Sequence, residues 1–169
     1  MNFRRYISTF LLSCIILLSS GCFKKQHYPV QPVLSYKDFI IAGDSAILMI
    51  NFTDGDGDIG LGDEEVDAPY DFGSDYYYNF IVEYYEKDDQ LGWTPGLDLN
   101  GDSIVFQYRI HPFTNLKKKD ALKGIIETTI EPIYYNPFSA QNDTIRYRVR
   151  LIDRALNKSE WVETSEITR

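Results

Sequence analysis

Thr144-Ile145-Arg146-Tyr147-Arg148-Val149-Arg150-Leu151 sets an apolar residue at every second position and an arginine at three of the positions between them. Successive side chains of an extended strand point to opposite faces, so Ile145, Tyr147, Val149 and Leu151 share a greasy face. Arg146, Arg148 and Arg150 share a wet one, continued by Ile152. The same two-residue period recurs upstream. Ala46, Leu48, Ile50 and Phe52 alternate with Ile47, Met49 and Asn51. Tyr78, Phe80, Val82 and Tyr84 alternate with Asn79, Ile81, Glu83 and Tyr85. Ile104, Phe106, Tyr108 and Ile110 alternate with Val105, Gln107 and Arg109. Residues 124–131 and 161–167 add two β-rich stretches, and residues 37–41 an edge strand. Gly, Asn, Asp and Pro turns separate these runs, and no stretch has the 3.6-residue period of an amphipathic helix. About seven strands, each with one face to bury, predict an all-β chain folded as a β-sandwich.

The chain opens differently. Arg4 and Arg5 precede a largely apolar run from Ile7 to Leu18, which ends in Ser19-Ser20-Gly21-Cys22. The run is shorter than the ~20 residues a spanning helix needs, so it is an export segment and not a transmembrane anchor. It resembles a bacterial lipobox, with Ser19 where that pattern has a large aliphatic residue. The resemblance implies removal of residues 1–21 and attachment of diacylglycerol to the Cys22 thiol. Residues 22–34, polar and carrying Pro29 and Pro32, read as a lipidated tether, and residues 35–169 as the sandwich domain. The 147 residues after Cys22 suit one compact domain.

Loss of the two arginines takes the formal net charge from −8 to −10. A surface so acidic repels nucleic acid and invites cations. Cys14 lies in the export segment and Cys22 carries the lipid, so the domain has no disulfide, thiolate nucleophile or cysteine-ligated zinc. A structural metal is one alternative staple.

Tyr147-x-Val149-x-Leu151, then Asp153-Arg154-Ala155-Leu156-Asn157-Lys158-Ser159 and Trp161, resembles the last hairpin of fibronectin type III and related immunoglobulin-like domains. That family often has Gly where Leu156 stands. The resemblance implies an immunoglobulin-like, fibronectin type III-like sandwich. It also makes Tyr147 a tyrosine corner, whose hydroxyl ties a loop to the sheet. Together with Phe52-Thr53-Asp54-Gly55-Asp56-Gly57-Asp58-Ile59-Gly60, the chain is similar to small lipoproteins of Bacteroidota that have no assigned activity.

Asp54, Asp56 and Asp58 put three carboxylates within five residues, directly after a strong strand. Something must offset their repulsion. Ca²⁺ takes six to eight hard oxygens and suits such a loop, and Gly55 and Gly57 let alternate side chains converge. Mg²⁺, with its tight octahedral geometry, suits it less. A helical calcium hand is excluded because Ile59 stands where that loop requires Gly and no helices flank it. Asp63 and Glu64 or Glu65 are spare ligands. In an immunoglobulin-like sandwich the turn after Leu151 opens at the same end, which adds Asp153 and Asn157 to the predicted shell. Two other accounts of the acids stand beside calcium: a solvated Asp-Gly turn, and neutralisation by Lys117, Lys118, Lys119, Lys123 or Arg154.

Asp98-Leu99-Asn100-Gly101-Asp102 reads as a hairpin turn before a cation loop. The paired tyrosines Tyr76, Tyr77, Tyr78, Tyr84, Tyr85, Tyr134 and Tyr135 are in part core residues of a sheet and in part a candidate glycan or protein platform. The three arginines of the opening strand call for acidic neighbours, with Glu127, Glu131 and Glu163 as candidates. His27 and His111 stand far apart, and no nucleophile elbow, phosphate loop or dinucleotide fingerprint occurs. These observations predict a lipid-anchored envelope module that binds or scaffolds and is not an enzyme, with calcium in the Asp54–Asp58 loop. Its expected contacts are the membrane, through Cys22, and a protein or glycan partner, not nucleic acid. Phe23-Lys24-Lys25 after the cysteine points to the outer membrane, periplasmic face. A glycan-binding lipoprotein is the alternative, and a carboxylate hydrolase a weaker one.

Overall fold

The computed structural model describes residues 27–112 and 120–169. The export segment, Cys22 and the run from Lys117 to Lys119 lie outside the described residues. Nine strands occur among the described residues: β1 (Val33–Ala42), β2 (Ser45–Asp54), β3 (Phe80–Asp88), β4 (Gly92–Pro95), β5 (Val105–Tyr108), β6 (Leu122–Ile130), β7 (Thr144–Leu151), β8 (Val162–Glu163) and β9 (Ile167–Thr168). No helix among them is long and apolar enough to cross a membrane.

The strands form two antiparallel sheets. One has the order β1-β2-β6; the other runs β4-β3-β7-β8, with β5 also on β3 and β9 also on β7. β4 pairs with residues 85–88 of β3 and β5 with residues 80–83, so the two share one edge of β3. The second sheet is therefore four strands wide, with both outer positions broken. An edge interrupted in this way offers no long ladder for another chain to extend.

The alternation predicted for β7 and β2 is what the sheets bury. Ile145, Tyr147, Val149 and Leu151 are fully buried against Ala46, Leu48 and Ile50, with Phe80 and Val82 of β3 beside them. Aromatic rings knit this layer together. Tyr147 stacks on Phe39 at 5.4 Å and meets Tyr84 at 5.7 Å. Its hydroxyl donates to the Tyr134 carbonyl, tying the segment before β7 to the sheet.

Short β4 was not among the predicted runs and β6 starts two residues earlier than read, and two further differences have a clear physical cause. The predicted edge strand over residues 37–41 extends back to Val33, because Leu34 pairs with Phe52 and buries its side chain in the core. The last two residues assigned to the tether thus belong to the sheet, and Pro32 before them is buried as well. The β-rich stretch at 161–167 splits into β8 and β9, since Thr164 turns inward. Its hydroxyl accepts from the Tyr147 N–H and its own N–H donates to the Tyr147 carbonyl.

β2 ends where β6 begins and β3 begins where β7 ends, by the pairs Asp54↔Leu122 and Phe80↔Leu151, and the Arg154 N–H on the Asp58 carbonyl brings these two ends to one pole of the sandwich. That pole carries residues 55–79, the longest connection between strands among the described residues.

Candidate metal centre

Asp54 is the last residue of β2 and continues its inward face, so its carboxylate is buried completely. Gly55 and Gly57 then turn the chain back on itself. The Asp58 N–H donates to Asp54 Oδ2 at 3.0 Å, closing the loop. One carboxylate oxygen from each of Asp54, Asp56 and Asp58 lies within 4.8 Å of the others. Oδ1 of Asp54 and Oδ1 of Asp56 are buried and have no hydrogen-bond partner among the described residues. A carboxylate removed from water and left unpaired is costly. Two carboxylates at such a spacing repel by about 3 kcal/mol at an effective dielectric constant of ~20. The cluster is able to coordinate a divalent cation, since two oxygens each ~2.4 Å from a Ca²⁺ ion lie at most ~5 Å apart.

The electrostatics carry the same strain. Burial, reinforced by the charges of Asp56, Asp58 and Asp153, pushes the Asp54 carboxyl up to about 6, although the hydrogen bond from Asp58 pulls the other way. Burial also raises Asp153, and the Asp56 charge adds to it.

The structure brings the β7–β8 turn beside this loop. The Arg154 N–H donates to the Asp58 carbonyl at 3.3 Å and Arg154 Nε to the Gly60 carbonyl at 2.8 Å. The oxygens of Asp153, however, are engaged within its own turn. Oδ1 accepts the Asn157 N–H at 2.7 Å and Oδ2 the Asn157 side-chain amide at 2.9 Å. Asp153 thus adds negative potential to the centre while Asn157 holds its carboxylate. Leu156 in that turn has φ of 66°, the left-handed region that favours glycine.

Neither Asp63 nor Glu65 enters the group of three. Asp63 is exposed beside His111, at 3.6 Å. Glu65 Oε2 accepts from Arg154 and from the Gly62 N–H, the latter at 2.6 Å. These contacts belong to a scaffold that pattern reading missed. Arg109 Nη2 donates to the carbonyls of Gly62 and Glu65 at 2.9 and 2.7 Å, and Nη1 to that of Tyr77 at 2.6 Å. The Tyr70 hydroxyl donates to the Arg154 carbonyl. Two arginines thus fold the 55–79 connection onto the pole, a role that carries no local sequence signature.

Gly57 shows how tightly the centre is built. Its φ is 71°, and a Cβ there would sit 2.1 Å from the Asp120 carbonyl oxygen, which is backbone and unable to swing aside. Gly57→Ala is expected to destabilise the protein by about 1–3 kcal/mol through this clash and the left-handed backbone. Urea titration measures it, and a loss under 0.5 kcal/mol would mean that the loop relaxes easily.

Away from this pole, Asp98 accepts the N–H groups of Asn100 and Asp102 at 2.8 and 2.9 Å, which hold its carboxyl below the usual range and complete a hairpin turn. Tyr84 and Tyr134 are buried and so belong to the core, whereas Tyr76, Tyr77 and Tyr78 stay partly open to solvent at the end of the 55–79 connection. Along β7, Arg146 pairs with Glu163 at 2.7 Å and Arg148 with Glu83 at 2.9 Å. Glu127, on β6, belongs to the opposite sheet, and Glu131 follows that strand.

No protein-family model matches this chain, and no curated protein sequence is significantly similar to it.

Proposed function

We propose that the chain is a lipid-anchored envelope binding module in which a calcium ion, held by Asp54, Asp56 and Asp58, braces one pole and orders the loop that contacts ligand. The observation that carries this reading is the pair of buried oxygens on Asp54 and Asp56 with no hydrogen-bond partner among the described residues, in a cluster whose three carboxylates approach within 4.8 Å of one another. Calcium is preferred to magnesium because it accepts oxygens from a flexible loop, whereas magnesium demands near-ideal octahedral geometry. The cluster lies at a pole built of loops, and the role assigned to the ion is structural. The sandwich itself is read as fibronectin type III-like. Its order of β1-β2-β6 facing β4-β3-β7-β8 and the Tyr147 hydroxyl tie both support that assignment. Calorimetric titration of the full chain in detergent with calcium and with magnesium tests the ion. Saturable calcium binding that weakens in the Asp56→Ala, Asp58→Ala double variant is expected, and an absence of heat with either ion would overturn the site.

The ligand is read as a glycan. The connection that begins at the acidic loop ends in Tyr76, Tyr77 and Tyr78, and the last two wall a 490 Å³ cleft over the outer face of the second sheet, together with Phe72 and Trp161. That volume lies within the ~300–1,000 Å³ range of small-molecule sites, and flat aromatic walls suit sugar faces. Retention on polysaccharide affinity gels is the expected outcome, and failure across a broad panel would sink the glycan reading.

A further inference from the structure

The floor of the cleft is set by strand register. Gln107 of β5, Ile81 of β3 and Arg150 of β7 lie side by side across the sheet. Arg150 is the third arginine on the outer face of β7, and its environment differs from the other two. Arg146 and Arg148 each meet a carboxylate from a neighbouring strand. Arg150 faces Ile81 on one side, and its guanidinium lies over the Trp161 ring at 4.3 Å. It makes no ion pair or side-chain hydrogen bond among the described residues, and its Nε is buried without a partner.

Lys158 enters the same cleft, with its ammonium 5.3 Å from the centre of the Tyr76 ring and no carboxylate partner among the described residues. Acids are not scarce in a chain with 25 of them against 17 lysines and arginines. Of the two acids that line the cleft, Glu83 already accepts from Arg148 Nε at 2.9 Å and from the Tyr85 hydroxyl at 3.3 Å. Asp75 stands exposed at the rim. Two cations without acidic partners therefore converge on one aromatic-walled hollow, although the surface as a whole is negative.

We infer that this cleft takes a carboxylate-bearing sugar, a uronate, whose carboxylate pairs with Arg150 and Lys158 while its ring lies against the tyrosine wall. The inference rests on the glycan reading above and names the class of glycan. A guanidinium already fixed on an aromatic face loses little freedom on pairing, and its planar fork matches a carboxylate. Partial desolvation strengthens the pair.

Isothermal titration of the full chain in detergent, with trigalacturonate and with neutral trigalactose as probes, tests this. Trigalacturonate is expected to bind, trigalactose to bind at least about tenfold more weakly, and Arg150→Gln and Lys158→Gln each to weaken the acidic sugar by about tenfold, the scale of one charge-assisted hydrogen bond. Affinity should also fall as salt rises. Melting temperatures of the two variants show whether they remain folded, and each variant checks the other. Equal binding of both sugars, unchanged in folded Arg150→Gln and Lys158→Gln, would overturn the uronate inference and leave the glycan reading standing. Binding of polyglutamate in place of either sugar would overturn both, and binding of neither sugar would overturn the uronate inference and leave the glycan reading to the polysaccharide panel.

Discussion

Replacing Asp54 by asparagine is expected to raise the melting temperature of the calcium-free protein at pH 7 and to lower that of the calcium-loaded protein. Both signs follow from one buried carboxylate. With no ion bound, Asp54 is held at about 6, against an ordinary 3.8, chiefly by burial and then by its acidic neighbours. A carboxyl raised in the folded state binds its proton more tightly there than in the unfolded chain. The stabilisation it gives is therefore complete below the ordinary value and is lost as pH rises through about 6. At pH 7 the ionised group opposes folding by about 3 kcal/mol. Asparagine removes the charge and keeps an oxygen to accept the Asp58 N–H.

With calcium the balance reverses, because the ion favours the ionised form and asparagine is a weaker ligand. At about a hundredfold over its dissociation constant, an ion that binds only the folded state stabilises it by about 2.7 kcal/mol. In a domain of this size that is a shift on the order of 5–10 °C. Proton and ion compete for the same oxygens, so the gain from calcium should grow between pH 5 and pH 7.5, while the calcium-free protein melts lower at pH 7.5 than at pH 5. Asp153, raised for the same reason, adds in the same direction. Scanning calorimetry of both proteins, with calcium or with chelator at the two pH values, gives eight melting temperatures. Parallel shifts of wild type and Asp54→Asn on adding calcium would sink the metal centre.

Tyr147→Ala should cost about 3–5 kcal/mol, the largest loss expected from any single change proposed for this chain. The ring is fully buried where the two sheets face each other, against Phe39, Tyr84 and Phe106. The vacated space would be bounded by β strands that cannot collapse into it without breaking register. Tyr147→Phe separates the ring from the hydroxyl. It keeps the packing but strips the Tyr134 carbonyl of its donor, for about 1–3 kcal/mol. Denaturant melts of the two variants measure both parts. A Phe variant as stable as wild type would show that the tie to the 131–143 segment contributes nothing and that the ring alone matters.

The inner faces of β2, β3 and β7 were legible residue by residue, because a period of two is a local property and survives without knowledge of the partner strand. The acidic trio was equally legible, since its three carboxylates lie within five residues. What the pattern could not place lay at junctions. Asp153 was expected in the ion's shell from the topology, yet its nearest donors are the backbone and side chain of Asn157, four residues on, which are present however the rest of the chain folds. Glu65 was a spare ligand by composition, but Arg154 reaches it from 89 residues away.

An alternating apolar period and a run of alternating aspartates are encoded between near neighbours in the chain, so the amino-acid sequence alone determined the long strands, their buried faces and the acidic loop. Which arginine meets an acid, and which meets only a tryptophan, depends on the registers β7 adopts with β3 and β8. Those registers are set by burying both sheets at once. Only the tertiary structure could therefore leave Arg150 and Lys158 without acidic partners among the described residues in one cleft, and carry Arg109 and Arg154 across the pole to hold the loop that walls it.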